Sequence, residues 1–313
     1  RGAALLIVLP AAGGLAVGLL SRYVFSAREG HGVVDVIESV IRSRGFIRPI
    51  AAIEKILTSA VTIGSGGSAG AEGPIVQIGA AIASGIGQLF RITRAHMPIL
   101  IGCGSAAGIS AIFNSPIGGV LFTLEVILRD FSVRAFAPVV IASVIANVTT
   151  QAIFRDVLGD PVRAIFQIPA WRVGQSPLSG WGDIGGFALL GLLCGLVGVS
   201  MTRLMHRGED LFSRLRLPQP LKPTVGGALL GLGGVFYIMV FGWAMLDQPK
   251  PFAFSAYAPP AFYGDGYGVV RELLGQDFSA DARAHQLLLL LAFLCVAKII
   301  ATCLTLASGG SGG

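Results

Sequence analysis

Residues 55–70 read KILTSAVTIGSGGSAG and residues 298–313 read KIIATCLTLASGGSGG. With Lys55 laid over Lys298 they agree at eight of sixteen positions, and most differences exchange one small or apolar residue for another. Low complexity accounts for shared glycines, but not for a lysine and a threonine in register with them. A shorter match stands before each copy: Gly30-His31-Gly32-Val33-Val34 before the first and Gly266-Tyr267-Gly268-Val269-Val270 before the second. Two structural halves are therefore expected, at 1–160 and 161–313, the second incomplete at its C-terminal end. Glycine-interrupted apolar segments at corresponding places in two halves point to a binding site near the bilayer midplane of a transporter.

The composition around the repeat sets its solvent. Charged residues make 13% and apolar residues 53% of the 313, with mean hydropathy +0.75, whereas a soluble domain carries about 25% charged residues. Apolar runs recur at about 3–21, 50–63, 74–90, 98–113, 116–128, 133–155, 184–205, 223–246 and 286–306, so the chain is a multi-pass membrane protein. Several runs fall short of the ~20 residues a spanning helix needs. Segments 50–63, 74–90, 98–113 and 116–128 are thus predicted as half-spanning or tilted helices. Broken helices are tolerated only where their backbone is buried in protein or lines a cavity. The predicted class is all-α and polytopic, with repeated halves and broken helices.

The net charge of +6 comes from basic residues scattered over short loops, such as Arg91, Arg94, Arg129 and Arg134. These read as membrane anchors and not as a nucleic-acid surface. Cys103, Cys194, Cys295 and Cys303 lack paired spacing, so neither a metal site nor a disulfide framework is predicted. Segments 161–183 and 246–266 read as interfacial loops, with Trp171, Trp181 and Trp243 in an aromatic belt.

The first glycine-rich break continues as Gly70-Ala71-Glu72-Gly73-Pro74 before the next apolar run. Pro74 is placed to open a helix, because proline suits the first turn. Unpaired N–H groups and the positive end of the helix dipole would then meet inside the membrane, which is an anion site. Glycines let the backbone approach a bare ion. An acid at membrane depth is functional by default, and the carboxylate of Glu72 can occupy the anion's own place and move aside, as a gate. The alternative is an acid that only complements the dipole.

Gly70-Ala71-Glu72-Gly73-Pro74 resembles the GREGP motif of the CLC chloride channels and proton-coupled exchangers, with Ala71 in place of the usual arginine. Gly30-His31-Gly32-Val33-Val34 is similar to their GSGIP motif, and Phe113-Asn114-Ser115-Pro116-Ile117-Gly118-Gly119-Val120-Leu121-Phe122 with Glu125 resembles the stretch after the gating segment. The resemblance implies a homodimer with one anion pathway per subunit, two inverted halves, chloride as the ligand and no cofactor. It makes Glu72 the gating glutamate. It assigns anion contacts to Gly30, His31, Gly32, Gly70, Ala71, Glu72 and Gly73, and to Gly313, where the family's GxFxP motif would begin.

Three departures qualify what the resemblance implies. Val126 stands where proton-coupled exchangers carry an internal glutamate, so a passive, voltage- or pH-gated chloride channel is favoured over a proton/chloride antiporter. His31 replaces a serine: its imidazole either donates to the anion and titrates near neutral pH, or turns away and leaves binding to the backbone. Ala71 removes a positive charge and weakens steering. Lys55 and Lys298, at matching repeat positions, either raise the potential along the pathway or anchor at the interface. Glu125 is expected as a buried structural acid.

Other classes fare worse. Gly309-Gly310-Ser311-Gly312 has the form around an intramembrane protease nucleophile, but such chemistry needs a histidine base, and all four histidines precede Ser311 outside any later spanning helix. No enzyme is predicted. A cation-coupled carboxylate carrier shares inverted repeats and broken helices, yet Glu72 is the only acid near the breaks. The short loops lean towards a bacterial plasma membrane.

Overall fold

The computed structural model describes residues 2–25, 32–159, 181–241, 260–275 and 284–312, and among these every regular element is helical. Gly30, His31, Gly313, Trp171, Trp243 and the expected boundary at 160/161 lie outside the described residues. In chain order the helices are α1 Gly2–Leu19, α2 Val33–Arg42, α3 Ile50–Gly64, α4 Glu72–Leu89, α5 Met97–Phe113, α6 Pro116–Phe122, α7 Val133–Asp156, α8 Trp181–Arg214, α9 Lys222–Phe241, α10 Tyr267–Gly275 and α11 Ala284–Ala307. Short π-helical turns extend α1 over Leu20–Val24 and α6 over Thr123–Leu128. Among the described residues, five helical stretches are long and apolar enough to cross a membrane: Ala4–Val24, Val133–Asp156, Ile184–Arg214, Gln219–Val240 and Leu289–Ala307.

Local chemistry sets the joints. Asn114, left-handed at φ 50°, ends α5, and Pro116 opens α6 two residues later, the usual division of labour between a C-terminal Asn and an N-terminal Pro. Ser132 caps α7 by accepting the Ala135 N–H at 3.4 Å. Two helices lie outside the apolar runs of the sequence. α2 begins directly after the first Gly-x-Gly and α10 begins within the second, at Tyr267, but α2 carries Asp35, Glu38 and Arg42 among its ten residues, too many charges to register as a membrane segment.

The chain gathers into two compact units. One comprises Arg1–Leu15, Gly66–Ser68 and Phe166–Gly309; the other comprises Ala16–Ser65, Ala69–Ile165 and Gly310–Gly313. The short inclusions are the glycine breaks: Gly66–Ser68 of the first copy groups with the second half of the chain, and the end of the second copy groups with the first half.

In the unit built on α2 to α7, the core joins Val36 of α2, Val76 and Ala80 of α4, Ile101 and Ile109 of α5, and Ile127. α4 and α5 meet backbone to backbone. A Cβ on Gly79 would fall on the Gly104 carbonyl oxygen, a Cβ on Gly104 on the Gly79 carbonyl oxygen, and a Cβ on Gly108 would lie 2.8 Å from the Ile75 side chain. Lipid gives apolar helices no reason to associate, so such close packing of small residues is what fixes α4. Ser110 Oγ donates to the Ser143 carbonyl and Ser143 Oγ donates to the Pro116 carbonyl, both at 2.8 Å, tying α5, α6 and α7.

In the other unit, Tyr237, Phe262, Tyr263, Leu230, Leu290 and Leu294 form the core. Tyr263 Oη lies 3.2 Å from the carbonyls of both Leu6 and Leu230, and burial pushes its phenol pKa upward. The ring of Tyr263 packs on Gly66, where a Cβ would stand 2.9 Å from it.

Gly104→Ala is expected to lower the thermal midpoint of the detergent-purified protein by the equivalent of about 1–3 kcal/mol of overpacking. Gly185, where a Cβ meets nothing within 4 Å, supplies the control, and Gly185→Ala should leave the midpoint unchanged or slightly raised.

Candidate functional site

The residues singled out around the first break come together within the unit built on α2 to α7. The expected opening of a helix by Pro74 is corrected by two residues: α4 begins at Glu72, and Pro74 lies in its first turn. Proline is still tolerated there, because a first-turn N–H has no intrahelical partner. The first i→i−4 bond runs from the Ile75 N–H to the Ala71 carbonyl at 3.0 Å.

The start of α4 meets the start of α2. Gly32, the residue before α2, has φ 59°, and a Cβ there would stand 2.8 Å from both Cα and C of Gly73. Two helix N-termini thus converge with bare backbone between them, concentrating partial positive charge where α2 and α4 begin. Glu72 is half-buried, and its carboxylate folds back over Gly70, so that a Cβ on Gly70 would fall on Glu72 Oε2. Gly73 and Pro74 are buried, whereas Gly70, Ala71 and Glu72 are partly accessible.

The matched lysines occupy different surroundings. Lys55 is buried, with Asp35 and Glu54 as its electrostatic neighbours. Lys298 Nζ donates to the Gly264 carbonyl at 2.6 Å and to the Phe262 carbonyl at 3.4 Å, holding the turn before α10. Val126 is partly buried in the π-helical turn. Glu125, expected to be buried, is exposed; the π turn carries it to the outer face, while Thr123, Leu124 and Ile127 turn inward.

Polar residues that sequence reasoning passed over line the breaks. Ser68 N–H donates to Thr305 Oγ1 at 3.0 Å, and Ser311 N–H donates to Thr62 Oγ1 at 3.1 Å. The signal was present in the repeat, because Thr62 matches Thr305 and Ser68 matches Ser311.

A polytopic helical fold with glycine-broken helices and an acid at converging helix ends is that of an ion-transport protein. The sequence model described as voltage gated chloride channel matches residues 13–313, and the chain belongs to this family, that of the CLC proteins. It is 28% identical over 311 residues to a putative chloride channel protein ClcB-like of Ralstonia nicotianae, covering 98% of this chain and 63% of the relative. It is 29% identical over 309 residues to the voltage-gated ClC-type chloride channel ClcB of Escherichia coli O9:H4, with the same coverage. The chain thus spans under two thirds of the length of these relatives.

Two solved structures share the fold. A slow cyanobacterial Cl−/H+ antiporter superposes with a TM-score of 0.73 at 19% identity, over 99% of this chain and 64% of its own. A CLC-type fluoride/proton antiporter gives 0.69 at 23% identity, over 98% and 67%.

Gly32→Ala tests the convergence. A left-handed φ costs a Cβ-bearing residue roughly 1–2 kcal/mol, and the Gly73 backbone must also move. The substitution is expected to lower the thermal midpoint by more than Gly268→Ala, where a Cβ meets nothing within 4 Å.

Proposed function

We propose that the complete protein conducts chloride or a similar small anion across the bilayer, with one pathway in each subunit of a homodimer. The observation that carries this reading is the Glu72 carboxylate lying over Gly70 where α2 and α4 begin. A carboxylate settled there is a tethered anion, and what holds it is suited to a free one. Backbone dipoles bind without a full counter-charge, so the ion can lose water on entry and still leave. Gly32, Gly70, Ala71 and Gly73 supply the approach, with Gly30, His31 and Gly313 proposed as further contacts. Protonation or displacement of Glu72 opens the path. Lys55 and Lys298 contribute less to the potential, since their ammonium groups face carboxylates and carbonyls respectively. The bacterial relatives favour a bacterial plasma membrane.

Passive conduction is the preferred mode, because Val126 offers no proton to a relay. Proton-coupled exchange is the second reading, favoured by the two structural neighbours, which are both described as antiporters. Reversal potentials of the full-length protein in planar bilayers separate the two. With a fixed chloride gradient, an added proton gradient is expected to leave the reversal potential unmoved; a shift with pH establishes coupling without an acid at position 126. Glu72→Gln is expected to raise chloride conductance and remove its pH dependence. A pH profile identical to that of the parent protein would exclude Glu72 as the gate.

A further inference from the structure

We propose that Thr62 and Thr305 are positioning residues for the anion pathway, each holding the glycine break of the opposite repeat copy through a serine amide. The inference rests on the transport reading above and assigns what sets the geometry of its site.

The bonds are reciprocal. Thr305 Oγ1 accepts the Ser68 N–H at 3.0 Å and Thr62 Oγ1 accepts the Ser311 N–H at 3.1 Å, and the donors and acceptors are equivalent residues of the repeat. The hydroxyl protons are committed elsewhere: Thr305 Oγ1 donates to the Ala301 carbonyl at 2.9 Å, and Thr62 Oγ1 donates to the Thr58 carbonyl at 2.8 Å, each four residues back. A hydroxyl has one proton and two lone pairs, so each oxygen turns a lone pair to the serine amide. A second bond backs each first one, Ser68 Oγ with Thr302 Oγ1 at 3.1 Å and Ser311 Oγ with Thr58 Oγ1 at 3.0 Å. The glycine two residues before each serine turns the chain identically, with φ 102° at Gly66 and φ 101° at Gly309.

All of these side chains are buried, from 0% exposure at Ser68 to 8% at Ser311. An amide left without its acceptor there would lose its water and gain no partner in return. The clasp therefore holds each break at a set place, and it does more than satisfy a polar group. Ser68 lies two residues before Gly70, over which the Glu72 carboxylate folds. With its N–H taken by Thr305, Ser68 is withdrawn from the donors an anion can use. The number and position of donors govern which ion is preferred. A threonine that only satisfied its own helix would affect stability alone.

The test uses the full-length protein in liposomes, with chloride and nitrate efflux measured for the parent, Thr305→Val, Thr305→Ser, Thr62→Val and Thr62→Ser. Either valine is expected to change the chloride/nitrate ratio by about threefold or more, the span of an ordinary net hydrogen bond, and either serine to restore it. Amide hydrogen exchange follows the clasp directly. Thr305→Val should release Ser68 and spare Ser311, and Thr62→Val should do the reverse. If the valine variants do not fold, exchange in the parent decides: Ser68 and Ser311 must exchange more slowly than Ala71 and Gly73, and the opposite order overturns the proposal. Lowered stability with an unchanged anion ratio overturns the clasp alone. Absence of anion flux from the parent overturns the transport reading and the clasp with it.

Discussion

A peptide group inside a bilayer must find its hydrogen-bond partner within the protein, and the rest of this structure depends on that constraint. A continuous helix meets it automatically. A broken helix does not, and this chain breaks its helices at the glycine-rich stretches of its repeat. Around Ser68 and Ser311 the missing partners are threonine hydroxyls supplied by α11 and α3. Where the chain turns into α4, the backbone is left to the helix end and to the folded-back carboxylate of Glu72. Satisfied amides thus stand within a few residues of the start of α4, which makes this short glycine-rich segment rigid.

Rigidity farther out comes from glycine. The backbone contact of Gly79 with Gly104 fixes α4 against α5, and that of Gly32 with Gly73 fixes the start of α2 against the start of α4. Side chains at these positions would hold the helices apart and separate the two positive ends. At these positions glycine is a packing requirement as much as a conformational one.

The repeat was the most legible feature of the sequence, because a break that must carry glycine, serine and threonine at set intervals leaves little freedom of substitution. The long apolar helices were legible for the ordinary reason that lipid demands them. The small amphipathic helices α2 and α10 are not, since their charges mask them, although the Gly-x-Gly pairs at their starts are visible. Glu125 reads as buried from its apolar neighbours Leu124, Val126 and Ile127, and only the π-helical turn, which shifts the angular register of side chains, places it outside. Pro74 marks the start of α4 only to within two residues, since proline is acceptable throughout a first helical turn. The clasp is illegible in the sequence for another reason: its members are common, small residues whose pairing is long-range, and a repeat shows that positions are equivalent without showing that equivalent positions meet.

The grouping of Gly66–Ser68 with the second half of the chain also sets an order of events during synthesis. Ser68 and Thr305 are 237 residues apart, which at ribosomal speeds is roughly 10–50 s of elongation. For that interval the first break sits in or near the membrane with its amide acceptor not yet made. The nascent first half must therefore be held by water, by lipid headgroups or by the insertion machinery until α11 emerges. A late-arriving helix thus completes an early one, and the first break acquires its set geometry only after α11 has been made.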